Sequence, residues 1–344
     1  MAENPKPLVS ISCITYNHAL YIRECLEGFL MQKTNFPFEI LIHDDASTDG
    51  TADIIREYQA EYPDLIKPIL REKNLYSQGV RMMNRFNYER ARGKYIALCE
   101  GDDFWTDPNK LQIQFDFMEE HPDYSFCATN FALCDELHKT FTVARPLSYV
   151  CENKSQQEVC VDILLQRVLF RTASLFFRRD SYLKVDSLAK RDCQITQCGD
   201  YPLEFHLSSE GKVHYFPQPT IAYRVHGSSV SNYCNRGKAL QNYLQVGEMV
   251  ARMAERNGFA HLRAEIIATH NKKIVNRYIA YGMFRHARCF ATKHHISCSF
   301  AHILQIWCKS QLQRILYQWR RSLIGREKYR KYQQMLNSTR VSHF

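Results

Sequence analysis

The sequence predicts an α/β fold: a mostly parallel, Rossmann-like sheet with helices on both faces, followed by a helical C-terminal region. Two observations carry that expectation. Short apolar runs alternate with amphipathic helical patterns through the first 130 residues, the pattern of strands joined by crossover helices. After about Asn235 strand signals vanish, helical periodicity runs to the end, and the charge balance changes at the same place.

Taken in order, Val9 to Ile14 reads as a buried strand. Leu20 to Gln32 puts Leu20, Ile22, Cys25, Leu26, Phe29 and Leu30 on one helical face. Phe38 to Ile42 is a second strand, and Thr51 to Tyr62 a second helix with Ala52, Ile54, Ile55 and Tyr58 on one side. Leu65 to Leu70 is a third strand, Arg81 to Arg92 a helix, and Tyr95 to Cys99 a fully apolar strand. Pro108 marks a helix start, since its missing N–H costs nothing in a first turn, and the amphipathic run reaches Glu120. Beyond Tyr124 the signals are mixed: strands at Tyr124 to Ala132, Ser174 to Arg178, Lys212 to Phe216 and Thr220 to Val225, with helices at Glu158 to Leu169 and Tyr201 to Ser209.

A length of 344 residues suggests two domains at ~150 residues each, and the cut falls at residue 235. The net charge of +9 is unevenly spread: from Lys238 onward 19 Lys/Arg meet 4 Asp/Glu, whereas the preceding chain has 26 against 32. An acidic body with a basic tail argues against a nucleic-acid binder. Met1 to Leu8 lacks a signal-peptide pattern, and no apolar run reaches the ~18 residues a membrane span needs. The 13 cysteines are scattered with no C-x-x-C pair, which predicts buried thiols in a reducing, cytoplasmic setting.

In an open parallel sheet, ligands lie beyond the carboxyl ends of the strands. Thr15-Tyr16-Asn17, then Asp44-Asp45 within His43 to Thr51, then Glu100-Gly101-Asp102-Asp103 fall at such ends, and Gly199-Asp200 precedes a later helix. Carboxylates converging on one edge are costly unless neutralised, and a divalent cation carrying a phosphate ligand does this economically. Plainer readings stand beside this one. Ser47 to Thr51 is good capping chemistry, and Asp200 suits a helix N-cap ahead of Pro202. Adjacent Asp44 and Asp45 exceed what a cap needs, and Glu100 to Asp103 follows a fully apolar strand and is backed by Trp105.

Together these stretches resemble the glycosyltransferase family 2 catalytic domain, of the nucleotide-diphospho-sugar GT-A type. The matches are V-S-I-S-C-I-T-Y-N at Val9 to Asn17, E-I-L-I-H-D-D-A-S-T-D-G-T at Glu39 to Thr51, A-R-G-K-Y-I-A-L-C-E-G-D-D-F-W at Ala91 to Trp105, G-D-Y-P-L at Gly199 to Leu203, and Y-R-V-H-G-S-S-V-S at Tyr223 to Ser231. The resemblance covers about residues 6 to 235. It implies a nucleotide-sugar half at 1–105, an acceptor half at 106–235, and inverting transfer from a nucleotide-diphospho-sugar, with UDP the typical carrier, to a saccharide or lipid-linked acceptor in surface polysaccharide assembly. Thr15, Tyr16 and Asn17 would line the nucleotide pocket, Asp44 or Asp45 would bond the base, and Glu100 and Gly101 would belong to the same pocket. Asp102 would bind Mg²⁺ or Mn²⁺, His226 would reach that metal or the diphosphate, and Asp200 would be the general base. Asp103 and Trp105 would face a sugar, Trp105 by stacking. Two departures stand out: Glu100 replaces the first Asp of the family's D-x-D, and Gly199 stands where many members carry an acid.

In the tail, Ile303, Leu304, Trp307, Cys308, Leu312, Ile315, Leu316, Trp319 and Leu323 recur at helical spacing among Lys309, Arg314, Arg320, Arg321, Arg326, Lys328, Arg330 and Lys331. Three readings remain open: a helix packed on the body with a solvated basic face, an interfacial helix on an anionic membrane surface through 296–331, or an oligomer interface. Two other classes compete for the body. A non-catalytic nucleotide-sugar-binding scaffold would not need the intact acidic set, and a nucleotidyltransferase would show a Gly-rich basic loop where Thr15-Tyr16-Asn17-His18 stands.

Overall fold

β1 (Val9–Thr15), β2 (Phe38–Asp44), β3 (Ile66–Leu70) and β4 (Tyr95–Glu100) run parallel in the order β3-β2-β1-β4. The computed structural model describes residues 5–80, 85–135, 140–144, 154–168, 170–193, 199–226, 236–297, 299 and 303–311. β1 and β4 are buried almost end to end, as strands covered on both faces must be. The sheet continues β4-β8-β6-β9-β5, through β5 (Phe104–Trp105), β6 (Tyr124–Asp135), β8 (Phe176–Arg178) and β9 (Lys212–Val225), with β7 (Thr140–Val143) paired to β6. β8 joins β4 and β6 antiparallel, and β5 joins β9 antiparallel, so the sheet changes from parallel to antiparallel at β4.

Helices α1 (Ile22–Leu30), α2 (Thr51–Glu61), α3 (Arg85–Tyr88) and α4 (Lys110–Glu120) connect these strands. α5 (Gln156–Leu164), α6 (Arg179–Cys193) and α7 (Asp200–Glu210) belong to the second half. The apolar core joins Ile11, Cys13, Phe29, Ile40, Ala97, Trp105 and Phe176 from both halves.

Several expectations shift. Leu20 lies before α1 and is 86% exposed, because the turn closed by Tyr21 and Ile22 N–H on His18 O delays the helix. The two strands expected at Lys212 to Phe216 and Thr220 to Val225 are one, with Pro217 and Pro219 in its exposed middle, where a missing N–H is tolerated. α6 was not visible as a helix in the sequence, and residues 81–84 of the expected Arg81 to Arg92 helix lie outside the described residues.

The chain divides into two units, Met1–Ala132 with Val143–Arg224, and Leu133–Thr142 with Val225–Phe344. In the second, α8 (Arg236–Arg256), α9 (Arg263–Ala280) and α10 (Phe284–Lys293) form a helical layer. α9 ends in a Schellman turn: Gly282, at φ 75°, donates to Ile279 O and Met283 donates to Tyr278 O. Residues 303–311 are helical, with Ile303 and Ile306 packed against Val275, Ile279, Ala287 and Ala291, and with Leu304 and Trp307 exposed. The tail residues from Leu312 to Lys331 lie outside the described residues.

Candidate active site

The carboxyl ends of β1, β2 and β4 are level, because Thr15 pairs with Asp44 and Ile14 with Glu100. The three polar clusters therefore meet on one sheet edge. Asn17, at φ 55°, donates its N–H to Ser47 Oγ (2.8 Å) and accepts the Thr48 N–H on Oδ1 (2.8 Å), so two strand-end loops are tied together. Tyr16 projects beside them, 45% exposed.

Asp44 and Asp45 are both buried and both build loops. Asp44 accepts the Ser47 N–H (3.0 Å) and hydroxyl. Burial pushes its carboxyl above the usual range against those bonds, with Asp49 and Asp45 adding to the rise. Asp45 accepts the N–H groups of Leu75 (2.8 Å) and Tyr76 (3.0 Å), fixing the segment after β3. Asp49 accepts from Ala19 N–H (2.9 Å) and Thr51 N–H (3.1 Å), but the N-cap position of α2 is Gly50, which has no side chain to cap with, so the side-chain cap expected of this stretch is not formed there.

At the end of β4, Gly101 donates to Ile14 O (2.9 Å), and a Cβ there would lie 2.6 Å from Thr15 Oγ1. Only glycine lets the third cluster approach the first this closely. Thr15 Oγ1 lies 3.1 Å from His18 Nδ1, and His18 Nε2 lies 3.8 Å from Asp102, whose carboxylate is partly exposed. Burial, followed by the charges of Asp102, Asp103 and Asp200, raises the Glu100 carboxyl well above the usual range. Asp200 is thereby placed close enough to act on the strand-end cluster although it lies a hundred residues further along the chain. It opens α7, accepts the Tyr201 N–H (3.0 Å), and acts likewise on Tyr88 and on Glu204, which stands one helical turn further along. α7 is held by the Tyr201 hydroxyl donating to Ile163 O and by buried Leu203, Phe205 and Leu207.

Trp105 and Asp103 differ from their expected sugar-facing roles. Trp105 is 1% exposed; its indole N–H donates to Ala173 O (3.1 Å) and its ring meets Phe29 edge-on, so no face is open to a sugar. Beneath it lies buried Lys110, 4.4 Å from the ring centroid and bonded to Gln114, with its ammonium pulled down to about 8 by burial. Asp103 points inward and accepts the Arg224 N–H (2.8 Å). Its carboxyl is raised by burial and Asp102, against the pull of Arg224 and Arg171.

Arg224 escaped the sequence reading except as a letter in Y-R-V-H. It is buried, donates Nε to Asp102 O (2.7 Å) and Nη2 to Glu24 (2.5 Å), and packs on the rings of Tyr21 and Phe104. It locks the Asp102-Asp103 turn to α1. Glu204 was also missed, although Asp200 and Glu204 stand at i and i+4, the spacing that shares a helix face. His226 is buried at the start of the second unit.

The model of the glycosyl transferase family 2 matches residues 10–185. The chain belongs to that family. An uncharacterised protein of Mycobacterium tuberculosis is 38% identical over 233 residues, which is 67% of this chain and 63% of that protein. The chain thus spans under two thirds of that relative's length. The Escherichia coli enzyme named UDP-Glc:alpha-D-GlcNAc-diphosphoundecaprenol beta-1,3-glucosyltransferase WfgD is 26% identical over 245 residues, 70% of this chain and 93% of its own. Among solved structures, S. aureus TarS 1-349 in complex with UDP-GlcNAc superposes with a TM-score of 0.55 at 18% identity, covering 88% of this chain and 79% of that one. The likeness shows the shared GT-A fold.

Proposed function

We propose that this family 2 member is an inverting glycosyltransferase that moves a hexose or N-acetylhexosamine from a UDP-sugar to a hydroxyl of a saccharide or lipid-linked acceptor in surface polysaccharide assembly. One observation carries the reading: Asp200 acts on the same edge that Thr15, Asp44 and Glu100 share at level strand ends. A nucleotide lying along β1 and β2 would meet Tyr16 and the Asp44-Asp45 loop, and its diphosphate would reach Asp102. The partly exposed carboxylate of Asp200 would take the proton of the acceptor hydroxyl as the new bond forms. WfgD, by its name, uses UDP-Glc and a diphosphoundecaprenol-linked acceptor, which supports the proposed donor and acceptor classes.

A divalent ion fits the residues present. Among the described residues, no three His, Cys, Asp or Glu side chains form a cage. The donor set is hard oxygen, with the Asp102 carboxylate partly exposed and the Glu100 and Asp103 carboxyls beside it pushed up by burial and by the neighbouring acids. Mg²⁺ or Mn²⁺ needs one or two protein carboxylates when it arrives with a diphosphate. Asp102 would hold it, and when bound it supplies charge stabilisation for the departing nucleoside diphosphate.

No helix among the described residues is long and apolar enough to cross a membrane. Exposed Leu304, Trp307 and Phe284, with Lys309 on the same stretch and further basic residues beyond it, support a peripheral seat on an anionic surface. The reading is tested by nucleoside-diphosphate release across a panel of UDP-, GDP- and dTDP-sugars, with and without Mn²⁺. Metal-stimulated release from a UDP-sugar is expected. Release from no donor, or undiminished release in EDTA, would overturn it.

A further inference from the structure

Arg171 lies just before β8, on the side of the sheet away from the nucleotide motifs. Its guanidinium carbon is 4.9 Å from the ring centroid of Phe131 on β6 and 4.2 Å from that of Tyr223 on β9, and all three side chains are half-buried. The two rings meet edge to face, 6.5 Å apart. Such packing holds the planar cation in place while leaving its N–H edges available. The side chain makes no hydrogen bond and no ion pair with any described residue. In the same unit Arg224, by contrast, is fully engaged with Glu24 and the Asp102 carbonyl.

The two rings locate it. Tyr223 immediately precedes Arg224, whose N–H donates to Asp103 (2.8 Å), and the neighbouring Ala222 and Ile221 pair with Phe104 and Trp105, so the ring under the guanidinium stands beside the Asp102-Asp103 turn; the charge of Arg171 also bears on Glu204, one turn behind Asp200. The strands bearing its two rings, β6 and β9, are two and three places from β4 in the sheet, whereas the nucleotide motifs end β1, β2 and β4. At ~4.8 Å per strand, this puts the guanidinium roughly 10 Å or more from the nucleotide strands. It lies on the side where an acceptor would approach Asp200.

We propose that Arg171 is an acceptor-binding residue that grips an oxyanion of the acceptor, a phosphate or carboxylate oxygen, within reach of Asp200. A planar fork of donors suits both anions bidentately. This rests on the glycosyltransferase reading above and narrows its acceptor to an acidic one, either a polyprenyl diphosphate or a uronic acid-bearing sugar.

The test titrates the full chain with farnesyl diphosphate and, separately, with glucuronic acid, each with and without saturating UDP and Mn²⁺, and titrates UDP alone in parallel. Wild type should bind one of the two probes, and which one identifies the source of the anion. Arg171→Gln should weaken that probe at least tenfold and change the UDP Kd less than twofold. Arg171→Lys, which keeps a cation on the two rings and guards against a folding defect, should lose three- to tenfold. A wild type that binds UDP but neither probe overturns the proposal, as does an Arg171→Gln protein with unchanged probe affinity or with UDP affinity lost in step. If wild type binds no nucleoside diphosphate, the glycosyltransferase reading fails instead, and the nucleotide-free probe titrations still decide the role of Arg171.

Discussion

The edge formed by β1, β2 and β4 and the side formed by β8, β6 and β9 assemble site residues in different ways. On the first, each group sits within a residue or two of a strand end, and its carboxylates are steadied by nearby backbone N–H groups, as Asp44 is by Ser47 and Asp45 by Leu75 and Tyr76. On the second, Asp200, Glu204, Arg171 and Arg224 come from a helix, a loop and an antiparallel strand: Glu204 and Arg224 are buried, Arg224 is held by Glu24 and Arg171 by rings on two strands, and half-buried Asp200 accepts the N–H of its neighbour Tyr201. On the proposed reading the first side, tied together by its backbone N–H bonds, would hold the donor. On the same reading the second, where Asp200 and Glu204 share a helix face and Asp200 raises the Glu204 carboxyl, would house the base.

The largest expected effect falls on the second side. Asp200→Asn should lower transfer by about 10²–10⁴-fold, the usual worth of a general base, in a radiolabelled sugar-transfer assay. A loss below tenfold would remove Asp200 from the base role and collapse the distinction between the two sides.

Next come the ties between them. Arg224→Ala leaves Glu24 and the turn at Asp102 without their cation and should destabilise the fold by about 3–5 kcal/mol in urea unfolding, the cost of breaking a buried pair. Gly101→Ala forces a Cβ to within 2.6 Å of Thr15 Oγ1 and should cost about 1–3 kcal/mol, with UDP affinity falling alongside. A neutral result at position 101 would mean that the β1 and β4 ends need not approach so closely.

A smaller effect depends on pH. Burial and Asp200 raise the Glu204 carboxyl in the folded state, so the native protein holds a proton there that the unfolded chain sheds above its own pKa of about 4.3. Stability from this group is complete below that value and declines as pH rises towards the folded pKa. Glu204→Gln removes the dependence, so its advantage over wild type should grow by up to about 1.4 kcal/mol per pH unit between pH 5 and 7. Parallel curves across that range would show that Glu204 is ionised in the native state.

How much could be read from the sequence follows the same division. On the first side a buried parallel strand announces itself as an apolar run and the polar groups at its end follow directly, so the meeting of Thr15, Asp44 and Glu100 to Asp102 at one sheet edge could be read locally. Trp105 misled because an aromatic beside an acidic turn looks the same whether it faces a sugar or, as here, donates into the core at Ala173. On the second side, α6 hid behind a narrow stripe of Tyr182, Val185 and Ala189 among charged residues. Arg171 gave no signal, since the rings that hold it lie 40 and 52 positions away. A cation's value is set by what folds against it, and that is tertiary information.

The central claim, that one side holds the donor and the other performs the proton transfer, is tested most directly by calorimetric titration of UDP with Mn²⁺ into wild type, Asp102→Asn and Asp200→Asn. The account predicts that Asp102→Asn weakens binding at least tenfold while Asp200→Asn stays within twofold of wild type. Equal losses in both variants, or none in Asp102→Asn, would contradict it.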